Sequence, residues 1–135
     1  MRVCLDTNVL ISAFATRGLS SDVLSLILAQ HDLVLPDCVA AELDRILVDK
    51  FGVSDEALTS VHEVLARVSR TSSPTDFDPV GLGDPDDERV LASAVAAEVD
   101  VLVSGDRDFL DNVELCPVRV LNPRAFWELV RGGAP

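Results

Sequence analysis

Short β-branched runs alternate with longer stretches of helical spacing along the whole chain, and that alternation admits few architectures. Residues 2–5, 33–35, 101–103 and 118–121 read as strands. Residues 8–15, 21–29, 37–48, 54–68, 84–98 and the segment after Asn122-Pro123 read as helices. Alternation of this kind signals an α/β chain with a parallel sheet. Residues 69–82, rich in Ser, Thr, Pro, Asp and Gly, read as mostly loop with room for a short strand at the start. The expected fold is a three-layer α/β/α sandwich with a mostly parallel sheet of about five strands. At 135 residues it is expected to form one domain, residues 1–135, with a core large enough to need no disulfides.

The helix starts have local causes. Asp37, Ser54, Asp84 and Asn122 each precede helical spacing and read as N-caps. Pro85 and Pro123 suit the first helical position. In residues 54–68, Ala57, Leu58, Val61, Val64, Leu65 and Val68 keep the spacing of one helix face. Cys4, Cys38 and Cys116 sit beside apolar residues with no C-x-x-C pair, so each is expected as a buried free thiol. No apolar run approaches the roughly 20 residues that span a bilayer, and Asp6 comes too early for a signal peptide, so a cytoplasmic protein is expected.

In open parallel sheets, ligands bind beyond the carboxyl ends of the strands. Asp6 follows the first strand, and Asp106 follows 101–103 after Ser104-Gly105. If those strands are neighbours, both carboxylates face one crevice. Glu42 and Asp87 lie in early turns of helices that leave the same edge. Carboxylates within ~5 Å repel by about 3 kcal/mol per pair at an effective dielectric near 20. A hard divalent cation such as Mg2+ or Mn2+ would neutralise them. Every position also has a structural reading. Asp6 suits an N-cap, and Asp106 suits a Gly- and Asp-rich turn. Glu42 alone reads as a solvated helix acid. Asp87 fits the third position of a capping box opened by Asp84, with Asp86 and Glu88 as surface partners of the helix dipole.

These residues also carry a resemblance. Leu5-Asp6-Thr7-Asn8-Val9-Leu10, the acidic run Asp84-Pro85-Asp86-Asp87 and Ser104-Gly105-Asp106-Arg107-Asp108-Phe109 resemble the motifs of PIN-domain ribonucleases. Glu42, within Val39-Ala40-Ala41-Glu42-Leu43, resembles their helix glutamate. The order and spacing are most similar to the VapC-like toxin components of bacterial toxin–antitoxin pairs. The resemblance implies Asp6, Glu42, Asp87 and Asp106 as catalytic, metal-holding acids, with Asp108 behind them. Asn8, Ser104 and Thr7 would orient ligands by hydrogen bonding. It further implies Mg2+- or Mn2+-dependent hydrolysis of RNA to 5′-phosphate and 3′-hydroxyl ends. A cognate antitoxin and a homodimer are also implied, with Phe126 and Trp127 open to either interface or core.

Arg17, Arg89 and Arg107 flank the expected site and suit RNA phosphates or surface ion pairs. Composition pulls the other way. With 23 acids against 11 Lys and Arg, the net charge is −12, where a nucleic-acid binder normally carries a basic footprint. A non-catalytic module acting through a protein partner is therefore the alternative. Other strand-end acid sites fit less well. A haloacid-dehalogenase-like site lacks its second acid, a phospho-receiver domain lacks its late lysine, and Gly81-Leu82-Gly83 fails as a dinucleotide loop. His31 and His62 read as structural or surface residues. Alanine at Asp6 or Asp106 is expected to leave the chain as stable as before or more so.

Overall fold

The computed structural model describes residues 1–132. In chain order, β1 (Arg2–Leu5) leads into α1 (Thr7–Ala15) and α2 (Leu19–Gln30), then β2 (Asp32–Pro36). There follow α3 (Asp37–Asp49), α4 (Asp55–Val64), β3 (Ser69–Thr71), α5 (Pro85–Ala96) and β4 (Val101–Val103). The one-turn α6 (Arg107–Leu110), a 3-10 turn at Val113–Leu115, β5 (Arg119–Leu121) and α7 (Pro123–Arg131) complete the described chain.

All four strand pairings are parallel, in the order β3-β2-β1-β4-β5. Parallel strands covered on both faces read as continuous apolar runs. Accordingly Val3, Cys4, Leu5, Leu33, Val34, Leu35, Val101, Leu102 and Val103 are all buried. Right-handed crossovers put the connections from β1 to β3 on one face and those from β3 to β5 on the other. Helix α3 faces the core with Val39, Leu43 and Leu47, one turn apart. The sequence order reverses at β1, whose neighbours are β2 and β4, and this makes the β1–β4 edge the crevice of the sheet.

Among the described residues, five helices begin at a side-chain N-cap: Asp6, Ser54, Asp84, Asp106 and Asn122. Asp37 is not among them. It is the first residue of α3, its carboxylate takes Arg70 Nη2 at 2.9 Å, and the cap residue is Pro36. The backbone N–H of Cys38 is instead satisfied from a distance by Ser73 Oγ at 2.9 Å. Helix α4 stops at Val64, short of the expected Val68, because the chain must turn to seat β3 beside β2. There Ser69 Oγ bonds Asp32 Oδ1 at 2.7 Å.

Phe126 is fully buried, so it belongs to the core, while Trp127 is half-buried under the Arg131 guanidinium. Only Cys4 of the three free thiols is fully buried; Cys38 and Cys116 are partly exposed. His62 pairs with Asp44 on the surface, and His31 packs edge-on to Phe126. Among the described residues no single helix is long and apolar enough to cross a membrane. The apolar pair α1 and α2 turns through 103° at its break.

Candidate metal centre

The centre is assembled at the carboxyl ends of β1 and β4, which pair with Leu5 beside Val103. Asp6 leaves β1 with its backbone N–H on Val103 O and is buried, only 5 % exposed. Its two oxygens have separate duties. Oδ1 caps α1 by accepting Val9 N–H at 2.9 Å, and Oδ2 accepts the hydroxyl of the fully buried Ser104. Ser104 Oγ in turn accepts Asp106 N–H at 3.0 Å. One buried hydroxyl thus ties together the two acids that follow β1 and β4. Burial pushes the Asp6 carboxyl above its ordinary value. The bonds from Ser104 and Val9 oppose this, and the charges of Asp106 and Glu42 add to it.

Asp6, Thr7, Asn8, Glu42, Asp86, Asp87, Val90 and Asp106 line a single small cleft. Four of them, Asp6, Glu42, Asp87 and Asp106, are the acids singled out above, and they arrive from four stretches of chain. Thr7 is buried at the cleft wall and Asn8 is exposed at its mouth. A second group overlaps the first: oxygens of Asp84, Asp87 and Asp108 lie within 4.8 Å of one another. Asp87 is common to both groups. Its carboxyl is pushed up to about 7, first by burial, then by its hydrogen bond with Asp108, then by the charges of Asp106, Asp84 and Asp108. Asp84 still caps α5, taking the N–H groups of Asp86 and Asp87 at 2.7 and 3.1 Å. Asp106 caps α6 through Asp108 N–H at 2.8 Å. Strand-end acids here cap helices and line the cleft with the same carboxylates. Oxygen donors alone, crowded and partly desolvated, are the donor set that suits Mg2+ or Mn2+.

Sequence reasoning missed three participants. Asp84 and Asp86 read as a cap and a surface acid, yet one joins the Asp87–Asp108 group and the other lines the cleft. Their only signal was the density of acids in residues 84–88. Glu88 is not a surface dipole partner. It is buried and accepts the backbone N–H groups of Val80, Gly81 and Leu82 at 2.9, 2.9 and 2.7 Å. Burial raises its carboxyl, but the three N–H donors outweigh that and bring it below the ordinary value.

The arginines divide. Arg89 is the fifth residue of α5 and Arg107 the first of α6; neither lines the cleft itself, and Arg107 pairs with Asp111 at 3.3 Å. Arg17 does not flank the cleft. It follows the far end of the nine-residue α1, about 13 Å along the helix from its start beside Asp6.

The Ser104 bridge has a measurable consequence. Ser104→Ala leaves Asp106 N–H and one oxygen of a buried carboxylate without partners, at a cost of about 2–4 kcal/mol. Urea denaturation should show that loss; a change under about 0.5 kcal/mol would mean the bridge contributes nothing.

A family model described as a PIN domain matches residues 2–108. No protein of curated function matches the chain. Among solved structures, VapBC2 from Rickettsia felis, bound to a DNA fragment from its promoter, is similar at a TM-score of 0.64. That likeness has 15 % identity and covers 90 % of this chain and 98 % of the other. VapBC-1 from nontypeable Haemophilus influenzae is similar at 0.62, with 15 % identity over 92 % of this chain and 99 % of that one. FitAcB from Neisseria gonorrhoeae is similar at 0.56, with 21 % identity over 90 % and 98 %.

Proposed function

Since the chain belongs to the PIN-domain family, we propose that it is a Mg2+- or Mn2+-dependent endoribonuclease, the toxin component of a toxin–antitoxin pair. The observation that carries this reading is the convergence of Asp6, Glu42, Asp87 and Asp106 on one cleft at the reversal point of a parallel sheet. Those four side chains would hold the ion, with Asp108 and Asp84 at its flank. A divalent ion bound there supplies charge for a phosphate oxygen and a lowered pKa for an attacking water.

The chain's own residues do the rest. Ser104 and the Val9 amide hold the Asp6 carboxylate in one orientation. Asp87, near the start of α5, and Asp106, the cap of α6, line the cleft, with Asp108 beside Asp87. Asn8, exposed at the mouth, offers an amide to a ribose or phosphate oxygen. Arg89, which follows the acidic first turn of α5, and Arg107, the first residue of α6, would contact RNA phosphates. With a net charge of −12, RNA is held locally, by the ion and these two guanidinium groups, rather than by a basic surface.

A cognate antitoxin and a homodimer are part of the proposal. The likeness to VapBC assemblies supports the first. So does an apolar groove between α1, α3 and α4, where Phe51 and Val64 stay 53 % and 47 % exposed.

The test is cleavage of RNA by the purified full chain. Mn2+ should permit cleavage leaving 5′-phosphate ends, EDTA should abolish it, and fresh Mn2+ should restore it. Cleavage indifferent to EDTA would refute the metal assignment. No cleavage with any divalent ion would favour the non-catalytic module, which the acidic surface also suits.

A further inference from the structure

The long connection from β3 to α5, residues 72–84, delivers the acidic run at the start of α5, yet it carries no secondary structure of its own. It needs external anchors, and the fold provides them at three points. Ser73 Oγ takes the Cys38 amide at the start of α3, the helix that carries Glu42. Asp84 caps α5. Between them, the buried Glu88 carboxylate gathers three consecutive amides, those of Val80, Gly81 and Leu82.

The turn held by Glu88 is tightly specified. Gly81 and Gly83 have φ of +108° and +94°, a region that side chains disfavour. Leu82 between them is buried, 6 % exposed. Three amides pointing at one centre form a concave anion site, and here the anion is the protein's own. Glu88 is one residue after Asp87 and four after Asp84. Its carboxylate therefore ties the loop to the same first turn of α5 that carries the cleft acids. Loss of the clasp frees residues 80–83, and with them the Asp84 cap.

We infer that Glu88 is a positioning residue: it acts through the 80–82 turn to hold Asp84 and Asp87 in place for the ion. This inference rests on the metal-dependent reading above. Groups that directly hydrogen-bond metal ligands typically change metal affinity about 10- to 100-fold when replaced; Glu88 acts one bond further out, through the loop, so the lower end of that range is expected. Glu88→Gln keeps the size but offers one acceptor oxygen in place of two, so at least one amide loses its partner. Glu88→Asp keeps the charge and shortens the reach, and should fall between Gln and the parent.

The experiment measures Mn2+ affinity by calorimetry for parent, Glu88→Gln and Glu88→Asp, below each protein's unfolding temperature. Amide hydrogen exchange is followed in the same samples. The expected result is Mn2+ binding about tenfold weaker in Glu88→Gln, with faster exchange at residues 80–82 and at the Asp84-capped amides of Asp86 and Asp87. Should the Gln variant fail to fold, the Asp variant carries the comparison. Parent-like affinity in a folded variant whose 80–82 amides exchange faster would make Glu88 a purely structural clasp and overturn the inference. If the parent itself binds no Mn2+, the metal reading fails instead. The positioning role is then decided by exchange at Asp86 and Asp87: faster supports it, unchanged refutes it.

Discussion

Asp6→Asn is expected to lower Mn2+-dependent RNA cleavage about a thousandfold, equivalent to about 4 kcal/mol of barrier, while the protein stays folded. The amide retains an oxygen to cap Val9 N–H and fills the same buried space. What it removes is the charge, and the acceptor for the Ser104 hydroxyl. Stability gains from relief of repulsion by Asp106 and Glu42 and loses the Ser104 bond, leaving a net change of about 1 kcal/mol. Asp6→Ala is the poorer probe. It also deletes an N-cap at a further cost of about 1 kcal/mol, which works against the stability gained from relieved repulsion at this position. The same holds at Asp106, which caps α6. The check is a single-turnover cleavage rate alongside a urea melt. Parent-like cleavage by a folded Asp6→Asn protein would remove Asp6 from the chemistry.

Phe109→Ala should cost about 3–5 kcal/mol, the largest stability loss expected from a single truncation near the cleft. Phe109 is fully buried, and it is the only buried residue of α6. A single four-residue turn cannot persist on its own backbone bonds, so its place in the fold depends on that ring. Asp106 caps the turn and Asp108 lies within it, its N–H donating to Asp106 Oδ1. Truncation should therefore loosen the cleft carboxylate of Asp106 and the neighbouring Asp108 along with the core. Chemical denaturation measures the loss. A cost under about 1 kcal/mol would mean that α6 is not anchored as described. Leu115→Ala nearby, where the side chain is 41 % exposed, should stay within about 0.5 kcal/mol.

What could be read in advance follows the range of the interactions involved. Buried parallel strands are continuous apolar runs, so β1 and β4 were visible as such, and so were the acids directly beyond them. Caps that act within three residues, at Ser54, Asp84 and Asn122, were equally visible. Interactions spanning the chain were not. Asp37 resembles a cap until Arg70 on β3 takes its carboxylate, and Cys38 is served by a serine 35 residues away. Glu88 looks like any acid in a first helical turn, because its three partners lie on a loop whose path has no periodic signal. Helix α6 is shorter than one window of helical spacing. Arg17 suits the cleft edge by sequence because nothing in residues 16–18 announces how far α1 carries it. The bridging role of Ser104 depends on the register of β1 with β4, which only the folded sheet defines.

Whether the grouped carboxylates form a divalent-cation site decides what the cleft does. Calorimetric titration of the metal-free parent and Asp6→Asn with Mn2+, side by side, addresses this most directly. The predicted result is saturable binding by the parent and at least tenfold weaker binding by the variant. Absence of saturable binding in the parent, or equal affinity in the two proteins, would contradict it.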